Sequence, residues 1–263
     1  MIIDFHTHAF PDALAERAIA KLVSISGFTP STDGTVANLK ERLKTAGIDA
    51  AVLLPVATKA TQHQSLNDWA RSTVTDGIYA FGSLFPFAPD ALDQPEHIKA
   101  RGLKGIKLHP DYQGFFVDDH ALYPLYECIA ASGLPLMFHS GFDPLSPTLS
   151  HATPTRLAKV VRDIPKLTII AAHMGSYRFY DDVMRELAGL PLYLEFSQAG
   201  TYESKADLLA LIQRHGSERI LFGTDTPWDN PDRVLQSFLD LNLPNTDREL
   251  ILCGNASRLL GIS

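Results

Sequence analysis

Cysteine is nearly missing: Cys128 and Cys253 are the only two in 263 residues, and no CxxC pair occurs. That excludes a thiolate zinc cluster, a disulfide framework and a CxxC redox site. The two are expected as buried free thiols within helices, in a reducing compartment. No apolar run approaches the roughly 18 residues of a membrane span, and no signal-peptide pattern precedes the first apolar run. Basic runs are lacking as well. Lys and Arg number 23 against 30 Asp and Glu, for a net charge of −7, so no nucleic-acid surface is expected. There is no GxGxxG after the first strand-like run, no linker, no low-complexity tract and no repeat finer than a βα unit. One domain over 1–263 is expected, cytoplasmic, with a small molecule as partner. Nucleic acid and membrane are not expected as partners, and homodimerisation is left open.

What the chain does have is eight apolar runs, at 2–6, 50–56, 79–85, 105–109, 136–139, 168–173, 192–196 and 220–225. Amphipathic, helix-like segments separate them, among them 39–44 and 123–129. Apart from a longer first gap, the runs recur about every 30 residues, the length of a βαβ unit. Near-continuous apolar strands joined by helices mean a parallel sheet covered on its outer face. Eight such units, in a chain close to the usual 250 or so residues, close into an α/β fold of the (β/α)8 TIM-barrel class. The first gap adds an extra helix over 12–26 and a Gly-, Pro- and Ser-rich loop over 27–34. That loop follows the first strand, so it reads either as a lid on the barrel mouth or as a solvated insertion. A second long loop follows the fifth run, and 255–260 reads as a short closing helix.

In such a barrel the active site lies at the C-terminal strand ends. Here those ends carry His6 and His8, Lys107 and His109, His139, His173, Glu195 and Asp225. Residues two apart on a strand share a face, so His6 and His8 can offer two imidazoles to one ion. Imidazoles and carboxylates meeting at one mouth point to a divalent metal site.

The His-x-His of the first strand, Phe138-His139-Ser140-Gly141, Ala172-His173-Met174-Gly175 and Gly223-Thr224-Asp225-Thr226-Pro227-Trp228 resemble the amidohydrolase superfamily. Within it, the chain resembles the branch of metal-dependent decarboxylases similar to aminocarboxymuconate semialdehyde decarboxylase. The resemblance implies a metal held by His6, His8, His139 and Asp225. It also implies His173 as the acid/base residue, or as a ligand of a second ion in two-metal relatives. Three imidazoles and a carboxylate suit Zn2+ foremost, with Mn2+ or Fe2+ open, over the oxygen-seeking Mg2+ and Ca2+. Asp225 can serve both as ligand and as proton acceptor.

Lys107 stands in an apolar run where a charge is costly unless paired. It reads as paired with Asp225, Glu195 or a substrate carboxylate. In two-metal relatives a fourth-strand lysine is instead carboxylated and bridges two ions, so the expected count is one ion, or two if Lys107 is carboxylated. Many relatives of this branch carry aspartate where Glu195 stands. For substrate contact the candidates are Lys107, His109, Arg178 and Trp228, with Tyr112 and Gln113 nearby. Arg178 would fork onto a carboxylate and Trp228 would stack on a flat ring. The expected activity is hydrolysis of a small acidic or cyclic substrate by metal-activated water. Non-oxidative decarboxylation on the same site is the alternative, and a silent metal-binding protein the third reading.

Overall fold

The structure, a computed structural model, describes residues 1–262. Eight strands occur among them: β1 (Ile3–Thr7), β2 (Ala50–Leu53), β3 (Ile78–Ala80), β4 (Ile106–Leu108), β5 (Leu136–Phe138), β6 (Ile169–Ala171), β7 (Tyr193–Glu195) and β8 (Ile220–Leu221). Each overlaps one of the eight apolar runs, though β3 takes up only the first two residues of 79–85. The ladders are parallel throughout, β1-β2-β3 in one sheet and β4-β5-β6-β7-β8 in the other. Two seams join the sheets. Between β3 and β4, the Gly82 N–H donates to Gly105 O at 2.8 Å and the Lys107 N–H to Gly82 O at 2.8 Å. Between β8 and β1, Phe5 donates to Phe222 O at 2.8 Å, Asp225 to His6 O at 2.8 Å and His8 to Thr226 O at 2.7 Å. The regular ladder breaks at these seams and single bridges carry the ring across them.

Two apolar clusters hold the layers. Ile3, Phe5, Val52, Leu54, Phe81, Met137, Ile170 and Leu221 meet inside the strands, with Ala256 and Leu260 of the helix Asn255–Leu260 packed against them. Strand residues of alternate register pack outward on helices such as Pro154–Asp163, whose Leu157, Ala158, Val160 and Val161 are buried. That helix starts on Thr153, whose side chain accepts from the Arg156 N–H, with Pro154 in its first turn.

The extra helix is Asp12–Ser26, closed by Gly27 at φ 70°. The loop after it is neither free nor merely solvated. Ser31 donates from its N–H to Pro227 O at 2.8 Å and from its hydroxyl to Asp229 O at 2.8 Å, and Thr32 is buried. It is docked on the segment that follows β8. The cysteines are free, as expected, but half-buried rather than buried, Cys128 in the helix Tyr123–Ser132 and Cys253 in the π-turn Leu250–Gly254. No helix among the described residues is long and apolar enough to cross a membrane.

Candidate metal centre and active site

Strands β4, β5, β6 and β8 stop short of the polar residues that end their runs, so His109, His139, His173 and Asp225 stand just beyond the ladder, at the mouth. Asp4 anchors the floor of the site. Its carboxylate accepts from the His6 and Thr224 N–H groups at 3.0 and 2.9 Å and from the Thr224 hydroxyl at 2.5 Å, tying β1 to the chain beyond β8. Burial pushes Asp4 up to about 7 against these bonds.

His6 Nε2, His8 Nε2 and Asp225 Oδ1 form a triangle with sides of 3.1, 3.4 and 3.2 Å. Ligands about 2.0–2.1 Å from a tetrahedral ion stand about 3.3–3.4 Å apart, so the triangle fits a divalent ion as three of its ligands. The outer nitrogens agree with that use. His6 Nδ1 lies 2.7 Å from Glu195 Oε2 and His8 Nδ1 lies 2.9 Å from Leu54 O. A proton on each Nδ1 leaves each Nε2 lone pair facing the triangle, the arrangement that orients metal-binding imidazoles.

His139 is placed one step away. Its Nε2 faces Phe142 O at 3.2 Å and Asp143 Oδ2 at 3.7 Å, while its Nδ1 faces His173 Nε2 at 3.0 Å. Burial lowers His139 to about 3 and holds His6, His109 and His173 well below the usual histidine range, so these imidazoles are neutral. With Nε2–H of His139 given to Phe142 O, its Nδ1 is bare toward His173. Three possible ligand groups therefore adjoin one another: His6 with His8 and Asp225, His6 with His173 and Glu195, and His109 with His139 and Asp143.

Four residues of the rim hold backbones that L-residues rarely adopt: His173 at φ 57°, Arg178 at 69°, Gln198 at 61° and Asp225 at 63°. Strain of this kind persists where surrounding contacts impose it, and it gathers at functional sites. The Asp225 N–H is fixed on His6 O, and Gln198 Nε2 donates to Asp225 Oδ2 at 3.1 Å.

A model of the amidohydrolase family matches residues 3–262. The chain belongs to the amidohydrolase family. Among solved structures, it is similar to an uncharacterised TIM-barrel protein from Bordetella bronchiseptica, with 24% identity, 99% and 98% of the two chains covered and a TM-score of 0.78. A dihydroxybenzoic acid decarboxylase from Polaromonas sp. JS666, with bound manganese and the inhibitor 2-nitroresorcinol, gives 20%, 99% and 96%, and 0.71. A putative 2-pyrone-4,6-dicarboxylic acid hydrolase from Pseudomonas putida gives 19%, 99% and 97%, and 0.70. No match is found among curated proteins.

Within this amidohydrolase barrel, Lys107 is buried and its Nζ makes no hydrogen bond among the described residues. Burial lowers it to about 8, with Asp225 and Glu195 pulling the other way. The pairing expected from sequence therefore acts through space and not as a bonded ion pair. His109 is stacked on His139 at 4.2 Å and on Tyr112 at 3.9 Å. Arg178 is exposed, its guanidinium 4.2 Å over the Phe142 ring, and Trp228 is half-buried, its backbone N–H donating to Asp225 O at 2.7 Å. Gln113 is taken up by structure: its amide donates to Ala57 O and Leu84 O, both at 2.7 Å, and its oxygen accepts the His109 N–H at 2.9 Å. Three residues passed unremarked in the sequence: Asp4, Asp143 and Ser197. Only Asp4, a charge inside an apolar strand, left a signal there.

Proposed function

We propose that this amidohydrolase is a metal-dependent hydrolase of a small acidic or cyclic organic substrate. The observation that carries the reading is the His6–His8–Asp225 triangle, with both imidazoles oriented through their outer nitrogens. His139 is assigned as the fourth ligand on the resemblance of its motif to the family's; its bare Nδ1 lies 3.0 Å from His173 Nε2, one step from the triangle. Zn2+ suits this donor set, and Mn2+ and Fe2+ share its preferences. Such an ion supplies Lewis acidity toward a substrate oxygen and brings the pKa of a bound water down to about 7.

The chain's own residues would do the rest. Asp225, an anion at the triangle, accepts the proton released by the attacking water. His173, neutral and buried, takes up that proton on its site-facing nitrogen and passes it to the leaving group. Lys107 supplies positive charge from within the barrel, and Arg178 offers a planar fork from the rim for a substrate carboxylate. His109 and Trp228 give flat walls for a ring. One fixed observation favours decarboxylation as the second reading: the manganese-bound neighbour of the same fold is named a dihydroxybenzoic acid decarboxylase. The same residues serve it, with His173 or Asp225 moving the proton to the carbon that loses CO2.

Elemental analysis of the purified protein and product analysis in 18O-water test both readings. Label in the organic product with no CO2 supports hydrolysis, and CO2 release with no label in the organic product supports decarboxylation. Absence of a transition metal from the protein, with none taken up on addition of Zn2+ or Mn2+, sinks both.

A further inference from the structure

Beneath His6 and His173 lies a hydroxyl that no role so far has used. Ser197 is fully buried two residues after the end of β7, and its Oγ stands 2.8 Å from His173 Nδ1, 2.7 Å from Glu195 Oε2 and 3.2 Å from His6 Nδ1. Its N–H donates to the other carboxylate oxygen of Glu195 at 2.7 Å. One side chain thus touches the carboxylate and both imidazoles.

We propose that Ser197 is a positioning residue that sets the tautomer of His173. The hydroxyl has one proton to give. Burial pushes Glu195 up to about 8, yet both its oxygens already receive N–H groups, Oε1 from Ser197 and Oε2 from His6 at 2.7 Å each, so Oε2 is placed as the acceptor of the hydroxyl proton. The Ser197 proton therefore goes to Glu195, and its oxygen is left to accept. The only proton His173 can offer it is the one on Nδ1. His173 Nε2 then carries a lone pair toward the site and toward His139 Nδ1, 3.0 Å away. Two facing lone pairs at that distance are stable only with an electrophile beside them, a proton in transit or a metal ion. Ser197 thereby holds His173 ready to receive, where a free imidazole would divide its proton between two nitrogens. The inference rests on the reading of His173 as the proton-transfer residue only for its effect on turnover, not for the tautomer itself.

The test uses the full chain loaded with Zn2+ and labelled with 15N-histidine. Long-range 1H–15N correlation spectra assign the tautomer of His173, with His173→Asn identifying its signals. Wild type and Ser197→Thr should show His173 protonated at Nδ1, and Ser197→Ala should lose that single state, with bound Zn2+ within twofold of wild type. For any substrate found by screening, kcat of Ser197→Ala should fall at least tenfold with KM within threefold, and Thr should restore it. An unchanged Nδ1–H state in Ser197→Ala, confirmed as folded by its circular dichroism and metal content, overturns the proposal. So does Nε2 protonation in wild type. If the tautomer changes as stated while His173→Asn keeps full turnover, the placement of Ser197 stands and the acid/base reading of His173 fails.

Discussion

At Gly223 a single methyl group decides whether Glu195 can stay where it is. A Cβ there would stand 2.1 Å from Glu195 Oε1 and 2.9 Å from the Cβ of His6, contacts no folded chain keeps. Gly223→Ala should therefore displace the carboxylate that orients His6 and weaken metal binding ~10–100-fold, the usual cost of losing an outer partner of a ligand. Titration with a competing chelator reads it, and unchanged affinity would show that Glu195 does not orient His6. His173→Asn tests a different link. It should keep the metal while turnover drops ~10²–10⁴-fold, the worth of a placed proton-transfer group. Loss of one of two ions would instead make His173 a ligand and Lys107 the carboxylated bridge. Histidines and aspartates at strand ends were legible in the sequence because their chemistry is unusual after an apolar run. Ser197 was not, since a serine near a strand end is unremarkable until Glu195 and two rings converge on it.

At the scale of the element, the loops above β5 and β6 are stitched to each other. Tyr177 donates its N–H to Ser140 O at 3.0 Å and accepts from the Phe142 N–H at 3.1 Å. Gly141 lies between at φ 92°, where a Cβ would come within 2.2 Å of Tyr177 N. Gly141→Ala should cost about 1–3 kcal/mol or more in stability, since left-handed strain and a backbone clash combine. Urea unfolding measures that loss, and a change below about 0.5 kcal/mol would mean that the stitch gives way freely. All eight strands, the helix after the first and the closing helix could be read from period and spacing, because these are local signals. The stitch and the docking of residues 27–34 could not, because each depends on backbone groups that meet only once the ring has formed. Likewise Gln113, open in the sequence between substrate contact and loop residue, has its amide bonded to the loops after β2, β3 and β4.

At the scale of the molecule, stability should follow both pH and metal. His215 is buried, its Nε2–H donates to Leu192 O at 3.0 Å and its Nδ1 accepts from the Gly189 N–H at 3.2 Å. Burial lowers its pKa below the ordinary 6.5. Below about pH 6.5 the unfolded chain thus binds a proton that the folded chain refuses, and its contribution to stability is lost as pH falls. His215→Gln should flatten that acid limb in denaturant titrations from pH 7 to 5; a limb of unchanged slope would count against it. Stripping the metal should lower Tm by roughly 5–11 °C, as a ligand at 100 times its Kd adds about 2.7 kcal/mol. The seam between β8 and β1 gives that loss an address. Asp4 and Thr224, 220 residues apart, already meet across it, and His6, His8 and Asp225 face each other above them. An ion held there acts as a clasp on a hoop, fastening the first staves to the last, whereas the β3–β4 seam has no such fastening among the described residues. Chelation should accordingly speed deuterium exchange at the amides of Phe5, His8 and Asp225 and leave those of Gly82 and Lys107 at their former pace.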